Sequence, residues 1–229
     1  MAKIEVLSSP RNPLLKDVRR AIVRGSLTED GFAVAESFNL LEEALRSDCQ
    51  VKAVLAAASV RTAVEGHVKG LRELRVIVLP DALFGALAST EASQGVIALV
   101  RPPNWTLEHL FRAQSLVVVL DGVQDPGNAG AIVRTAEAFG GTGVIFLKGT
   151  VSPYNPKTLR ASAGSIFRMP LVTGLDAALA RAAIEQKRLD VYATQPNGKK
   201  RLSDVDLTRR AAVIIGSEGH GVSETLRSA

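Results

Sequence analysis

The stretch Leu120–Gly140, LDGVQDPGNAGAIVRTAEAFG, constrains the fold of this chain more than any other. An aliphatic run, Leu116 to Leu120, ends at Asp121; Gly, Pro and Asn then crowd together, and an amphipathic pattern opens at Ala129. That order reads as strand, tight loop and helix, with Asn128, Gly130 and Arg134 around the helix start. Backbone N–H groups at a helix N-terminus, with an arginine one turn in, suit a phosphate or a developing oxyanion. The same residues also fit an ordinary βα turn of a parallel sheet, in which Asn128 is the helix cap and Arg134 pairs with Glu137.

A second loop narrows the choice. Ala211–Ser223, AAVIIGSEGHGVS, is a buried-strand pattern that breaks at Gly216 into a segment holding Gly216, Gly219, Gly221 and one carboxylate, Glu218. Glycines there permit positive φ and the close approach of a flat ligand to the backbone. Their spacing is not that of the GxGxxG dinucleotide fingerprint, and no acid follows where a ribose would need one, so an oxidoreductase is disfavoured. Ser162 and Ser165 flank Gly164 without a GxSxG elbow, which argues against a hydrolase. His67, His109 and His220 are scattered and lack HxxE or CxxC partners, so no metal site is expected.

Candidate strands at Phe32–Ala35, Val51–Ala57, Arg75–Leu79 and Gly95–Val100 alternate with helical stretches such as Ser37–Arg46 and Asp81–Ala88. After Arg101-Pro-Pro-Asn-Trp105 the alternation resumes at Leu116–Leu120, Gly143–Leu147, Asp190–Thr194 and Ala211–Ile215. Two prolines cannot sit inside a helix or central strand. The reading is two α/β domains, 1–101 and 106–229, separable at that boundary. Hydrophobic residues make up 46% of the chain but aromatics only 4%, so the cores must be built from Ala, Val, Leu and Ile. A net charge of +5 favours an anionic partner. Pro10–Arg24 has helical spacing, and one face carries Arg11, Lys16, Arg19, Arg20 and Arg24, able to follow a phosphate backbone or simply to be solvated. One cysteine, Cys49, excludes an internal disulfide and suits a reducing, cytoplasmic setting. No signal-like or membrane-spanning apolar run is present, so no membrane partner is expected.

Taken in order, Asn128-x-Gly130-xxx-Arg134, Arg160-Ala-Ser-Ala-Gly-Ser-Ile-Phe-Arg168 and IGSEGHGVS resemble the successive motifs of the SpoU/TrmH RNA methyltransferases of the SPOUT superfamily. The likeness runs from about Ser115 to the last residue. It implies an α/β domain threaded into a trefoil knot, an exception to the rule that chains avoid knots. It also implies S-adenosylmethionine as methyl donor, held at Thr194, Gly216, Ser217, Glu218, Gly219 and Gly221, and a homodimer. The family's third motif does not occur before Ala229, so the polypeptide is expected to continue and the knot to be incomplete in this chain. The N-terminal half more loosely resembles the ribosomal-protein-like α/β domain that precedes many SpoU domains. This makes RNA the implied partner, ribosomal before transfer RNA, with Arg11, Lys16, Arg19, Arg20 and Arg134 as its contacts.

By the same resemblance Arg134, Asn128 and Glu218 are the catalytic candidates. A guanidinium stays protonated in proteins and is a poor general base, so Arg134 is better suited to stabilising a forming 2′-alkoxide and gripping a phosphate. A non-catalytic RNA-binding protein of the same fold is the alternative.

Overall fold

The computed structural model describes residues 3–198 and 200–227. In chain order the first half holds β1 (Lys3–Val6), α1 (Pro13–Arg24), β2 (Ala33–Glu36), α2 (Phe38–Arg46), β3 (Gln50–Ala57), α3 (Arg61–His67), β4 (Arg75–Leu79), α4 (Asp81–Gly85) and β5 (Val96–Arg101). Then come α5 (Leu107–Leu110), β6 (Leu116–Asp121), α6 (Pro126–Ala138), β7 (Gly143–Leu147), α7 (Pro156–Ser162) and β8 (Leu171–Leu175). The last elements are α8 (Ala177–Gln186), β9 (Asp190–Ala193), β10 (Ala211–Gly216) and α9 (Glu224–Arg227). No helix among the described residues is long and apolar enough to cross a membrane.

The chain forms two compact units. One runs to Pro103 and takes in Tyr154–Phe167; the other is Asn104–Pro153 together with the chain from Arg168. The first crossing falls at the expected boundary, but 106–229 is interrupted, because the segment around α7 packs with the first unit.

In that unit the strand order is β1-β4-β3-β5-β2, with β5 antiparallel to both its neighbours. Leu15 and Val18 of α1 bury against Phe32, Leu55, Ile77, Ile97 and Leu99. The helix starts at Pro13, later than the apolar spacing suggests, because the Asn12 side chain accepts from Leu14 N at 2.9 Å and Pro13 fixes the first helical φ. The segment Tyr154–Phe167 is held by an unusual polar contact. Arg160 Nη1 donates to Ser89 Oγ at 2.7 Å, and Ser89 donates through both its amide and its hydroxyl to Glu36, which is 3% exposed.

The second unit has a fully parallel sheet, β8-β7-β6-β10-β9. Its central strands are near-continuous aliphatic runs: all five residues of β7 are buried, as are Val117–Leu120 and Ala211–Ile214. Such runs fit strands covered on both faces. From β6 the chain builds outward to β7 and β8, then returns to the other side of β6 to lay down β9 and β10. The order therefore reverses between β6 and β10, and in open parallel sheets the crevice beyond the carboxyl ends at such a switch point is where ligands bind.

Candidate active site

Both glycine-rich loops leave the sheet at that switch point, since Gly216 at the end of β10 pairs in register with Asp121 at the end of β6. Helix α6 begins at Pro126, three residues before the apolar pattern opens. Its cap is Asp125, whose carboxylate accepts from Asn128 N at 2.9 Å; Asn128 is the third helical residue and not the cap. Arg134 consequently stands roughly two turns inside the helix, where one turn was expected.

Glu218 crosses from the second loop to the first. Its Oε2 accepts from Gln124 N at 3.0 Å, and its Oε1 accepts from Asp125 N at 3.1 Å and from Asn128 Nδ2 at 2.9 Å. These donors, the Gln124 amide foremost, hold the Glu218 carboxyl down at about 2, well below its ordinary 4.5. The Gln124, Asp125 and Asn128 amides are thus already committed to Glu218 and Asp125, so these three are not open to the anion expected at this helix end. A second tie runs from Ser223 N to Asp121 Oδ2 at 2.7 Å. Beneath, Thr150 Oγ1 donates to Leu120 O and accepts from Gly122 N, and Gln124 Nε2 reaches Gly149 O.

The second loop folds onto itself through the Ser217–Gly221 bridge, with Gly221 N to Ser217 O at 2.9 Å. A Cβ at Gly216 would lie 2.0 Å from the carbonyl carbon of Gly221. The first glycine therefore serves the loop's own crossing and not a ligand. At Gly219 and Gly221 an added Cβ would meet nothing within 4 Å, so those faces are open. They border a hollow of about 620 Å³ whose walls include all six donor-site candidates, Thr194, Gly216, Ser217, Glu218, Gly219 and Gly221. Sequence reasoning missed Gln195, Pro196, Asn197 and Arg227, which line it too. The Gln-Pro-Asn-Gly run after β9 was a legible turn signal.

Arg134 is exposed and has neither a hydrogen bond nor an ion pair among the described residues. The competing pairing with Glu137 does not form, because Arg168 takes that carboxylate with two nitrogens, at 2.7 and 3.0 Å. Asn128 and Glu218 border a separate apolar groove of about 860 Å³ between α6 and the β6–β10 face; Arg134 lines neither hollow. Arg11, just before α1, and Lys16, Arg19 and Arg20 on it are all exposed, but Arg20 is already neutralised by Asp17 at 3.0 Å and Glu29 at 2.6 Å. Burial pushes the Cys49 thiol up to about 11, which suits an inert side chain. No cluster of metal-ligating side chains occurs among the described residues.

A parallel sheet with a glycine-walled hollow at its switch point, and a helix at the same junction carrying an arginine without an ion pair among the described residues, defines an α/β protein with an open crevice beyond the ends of β6 and β10. Residues 115–229 match the SpoU rRNA Methylase family. Over 221 residues the chain is 30% identical to the Bacillus subtilis 23S rRNA (guanosine(2553)-2′-O)-methyltransferase RlmP, spanning 96% of this chain and 85% of that protein. It is 30% identical over 164 residues to the 23S rRNA (uridine(2479)-2′-O)-methyltransferase of Streptomyces viridochromogenes, 69% of this chain and 57% of that protein. The crystal structure of the SpoU methyltransferase AviRb from the same organism, in complex with AdoMet, superposes with a TM-score of 0.83 at 26% identity, over 95% of this chain and 86% of that one. The chain belongs to the SpoU family of RNA methyltransferases.

Proposed function

We propose that this protein transfers a methyl group from S-adenosylmethionine to a ribose 2′-hydroxyl of ribosomal RNA, in the cytoplasm and as a homodimer. The observation that carries the reading is the junction of the two loops: Glu218 fixes Asn128 and the Gln124–Asp125 turn beside the hollow, while Arg134 on the same helix keeps its charge free. The open faces of Gly219 and Gly221 and a hollow of about 620 Å³ accept a flat, adenosine-sized group, so the residues present fit the donor. Bound there, the donor supplies a methyl on a sulfonium whose leaving group is a neutral thioether. The protein's own contribution is position and charge. Arg134 offers a planar two-pronged contact to a ribose oxygen, whose proton passes to solvent water as the methyl arrives, and to the neighbouring phosphate. Glu218, already engaged by three donors and held at about 2, is a positioning residue and not the proton acceptor. The relatives that act on 23S rRNA favour ribosomal RNA as substrate. The homodimer is supported by the open apolar groove on α6, where Phe139 is 80% exposed.

The test is incubation of the protein with labelled S-adenosylmethionine and protein-free large-subunit ribosomal RNA, followed by mapping of ribose methylation. A single new 2′-O-methyl nucleotide is expected. Label on a base, or none on RNA, overturns the proposal. Sedimentation of the same sample decides between monomer and dimer.

A further inference from the structure

The register of the second sheet also sets the end remote from the loops. Ala211 lies opposite both Leu116 and Asp190, so three neighbouring strands start side by side. The segments leading into them are tied together: Ala211 N donates to Ser115 O at 2.8 Å, Asp190 N to Arg210 O at 2.9 Å, and Gln114 Nε2 to Thr208 O at 3.1 Å. On these segments sit Arg112, Lys187, Arg188, Arg209 and Arg210. Arg209 is 3.4 Å from Asp206, and Lys187 Nζ lies 5.9 Å from the Phe111 ring centre. Arg112, Lys187, Arg188 and Arg210 form no ion pair among the described residues.

Arg20, Arg46, Arg61, Arg75, Arg168 and Arg181 each hold a carboxylate, while Arg11, Arg24, Arg72 and Arg134 are also without an ion pair among the described residues, so what sets this end apart is that its cations gather on three adjoining loops. The acids near the patch do not cancel it. Glu185 is taken by Arg181 at 2.7 Å and Asp206 by Arg209, which leaves Asp190 on these segments against four cations without an ion pair, of which Arg112 and Arg188 are exposed and Lys187 and Arg210 half-buried. Three adjoining loops thus present a positive field that the chain itself does not neutralise, and such a field attracts a polyanion.

We propose that this basic end of the sheet is a second RNA contact, which holds phosphates of a folded RNA whose target ribose lies at the opposite, loop-bearing end. The proposal rests on the RNA-methylating reading above. At roughly 3.3 Å per strand residue the length of β6 separates the two ends by about 17 Å, a span over which a folded RNA presents many phosphates.

The test combines Arg112→Gln, Lys187→Gln and Arg188→Asn in one chain. Arg188 has φ 54°, which asparagine adopts readily, and none of the three belongs to the catalytic or donor site. Affinity for protein-free large-subunit ribosomal RNA should fall at least about tenfold at low salt, with the slope of log K against log salt shallower by about 2 to 3, near 0.9 per phosphate lost. Affinity for S-adenosylmethionine and the melting midpoint should not move. Unchanged RNA affinity and slope, with the parent chain binding normally, overturns this proposal and leaves the methyltransferase reading intact. So does a loss that is equal at every salt concentration, because lost phosphate contacts must alter the slope. A parent chain that neither binds nor methylates RNA overturns both.

Discussion

At the scale of single residues, the proposed reading divides the work of the site between the charge of Arg134 and the positioning by Glu218. Arg134 has no hydrogen bond or ion pair among the described residues, so Arg134→Ala should leave the melting midpoint where it was while methyl transfer falls by about 10²-fold or more. Arg134→Lys should restore little, because a point charge lacks the planar fork. Full activity in the alanine variant would remove Arg134 from the mechanism. For Glu218 the direction of pH dependence follows from its depressed carboxyl. A group held at about 2 against an ordinary 4.5 contributes its loop contacts fully above the ordinary value and loses them as pH falls through about 2. A carbon-13 titration of the Glu218 carboxyl should therefore show its midpoint near 2, and Glu218→Gln should speed hydrogen exchange at the Gln124 and Asp125 amides at neutral pH. A midpoint near 4.5 would mean that the junction of the loops does not persist in solution. Gly216 is the residue whose reason sequence could not supply, because the atom that excludes a side chain there, the Gly221 carbonyl carbon, belongs to the same loop folded back.

At the scale of elements, the sequence was most legible where one strand's chemistry decides its fate. The aliphatic runs of β6, β7 and β10 sit within a residue of their expected spans because burial on both faces demands such runs. Strand β1 was missed: it has four residues and an exposed Val6, so its pattern is too short to read. Strand β8 was missed because Gly174 interrupts it and only Leu171 is buried. The start of α6 was misplaced because Pro126-Gly127-Asn128 reads as loop, although proline at the first helical position is permitted. The SpoU motifs fall on both glycine-rich loops at the switch point, yet gave Arg160–Arg168 no structural role. In the fold, Gly164 has φ 89° and a Cβ there would lie 2.5 Å from the Cβ of Glu43 on α2. Gly164→Ala should consequently destabilise the first unit by about 1–3 kcal/mol, from backbone strain together with the clash. Chemical denaturation followed by tryptophan-independent far-ultraviolet dichroism reads this directly; a variant as stable as the parent would show that α2 yields without cost.

At the scale of the whole molecule, two prolines at 102 and 103 suggest a cut that frees a self-sufficient catalytic domain, and the topology argues against it. The chain passes between the units three times: after Pro103, after Pro153 and after Phe167. Removing everything before Asn104 therefore takes away the unit with which Tyr154–Phe167 packs, while that segment stays covalently bound between β7 and β8. Pro156, Leu159, Ile166 and Phe167, all buried in the intact chain, lose cover, at roughly 1.5–3 kcal/mol for each large apolar side chain. The second sheet itself loses no strand, since all five of its strands and their aliphatic core lie outside the deleted part. The shortened chain should thus keep its sheet but expose a sticky, unfolded excursion, and trypsin should cut it at Lys157 and Arg160 far faster than it cuts the full-length protein. Replacing residues 154–167 by a short Gly-Ser link in the shortened chain should abolish that cleavage and restore solubility. If the shortened chain already resists trypsin at these two positions, Tyr154–Phe167 folds without the N-terminal unit and the two halves are as separable as their prolines suggest.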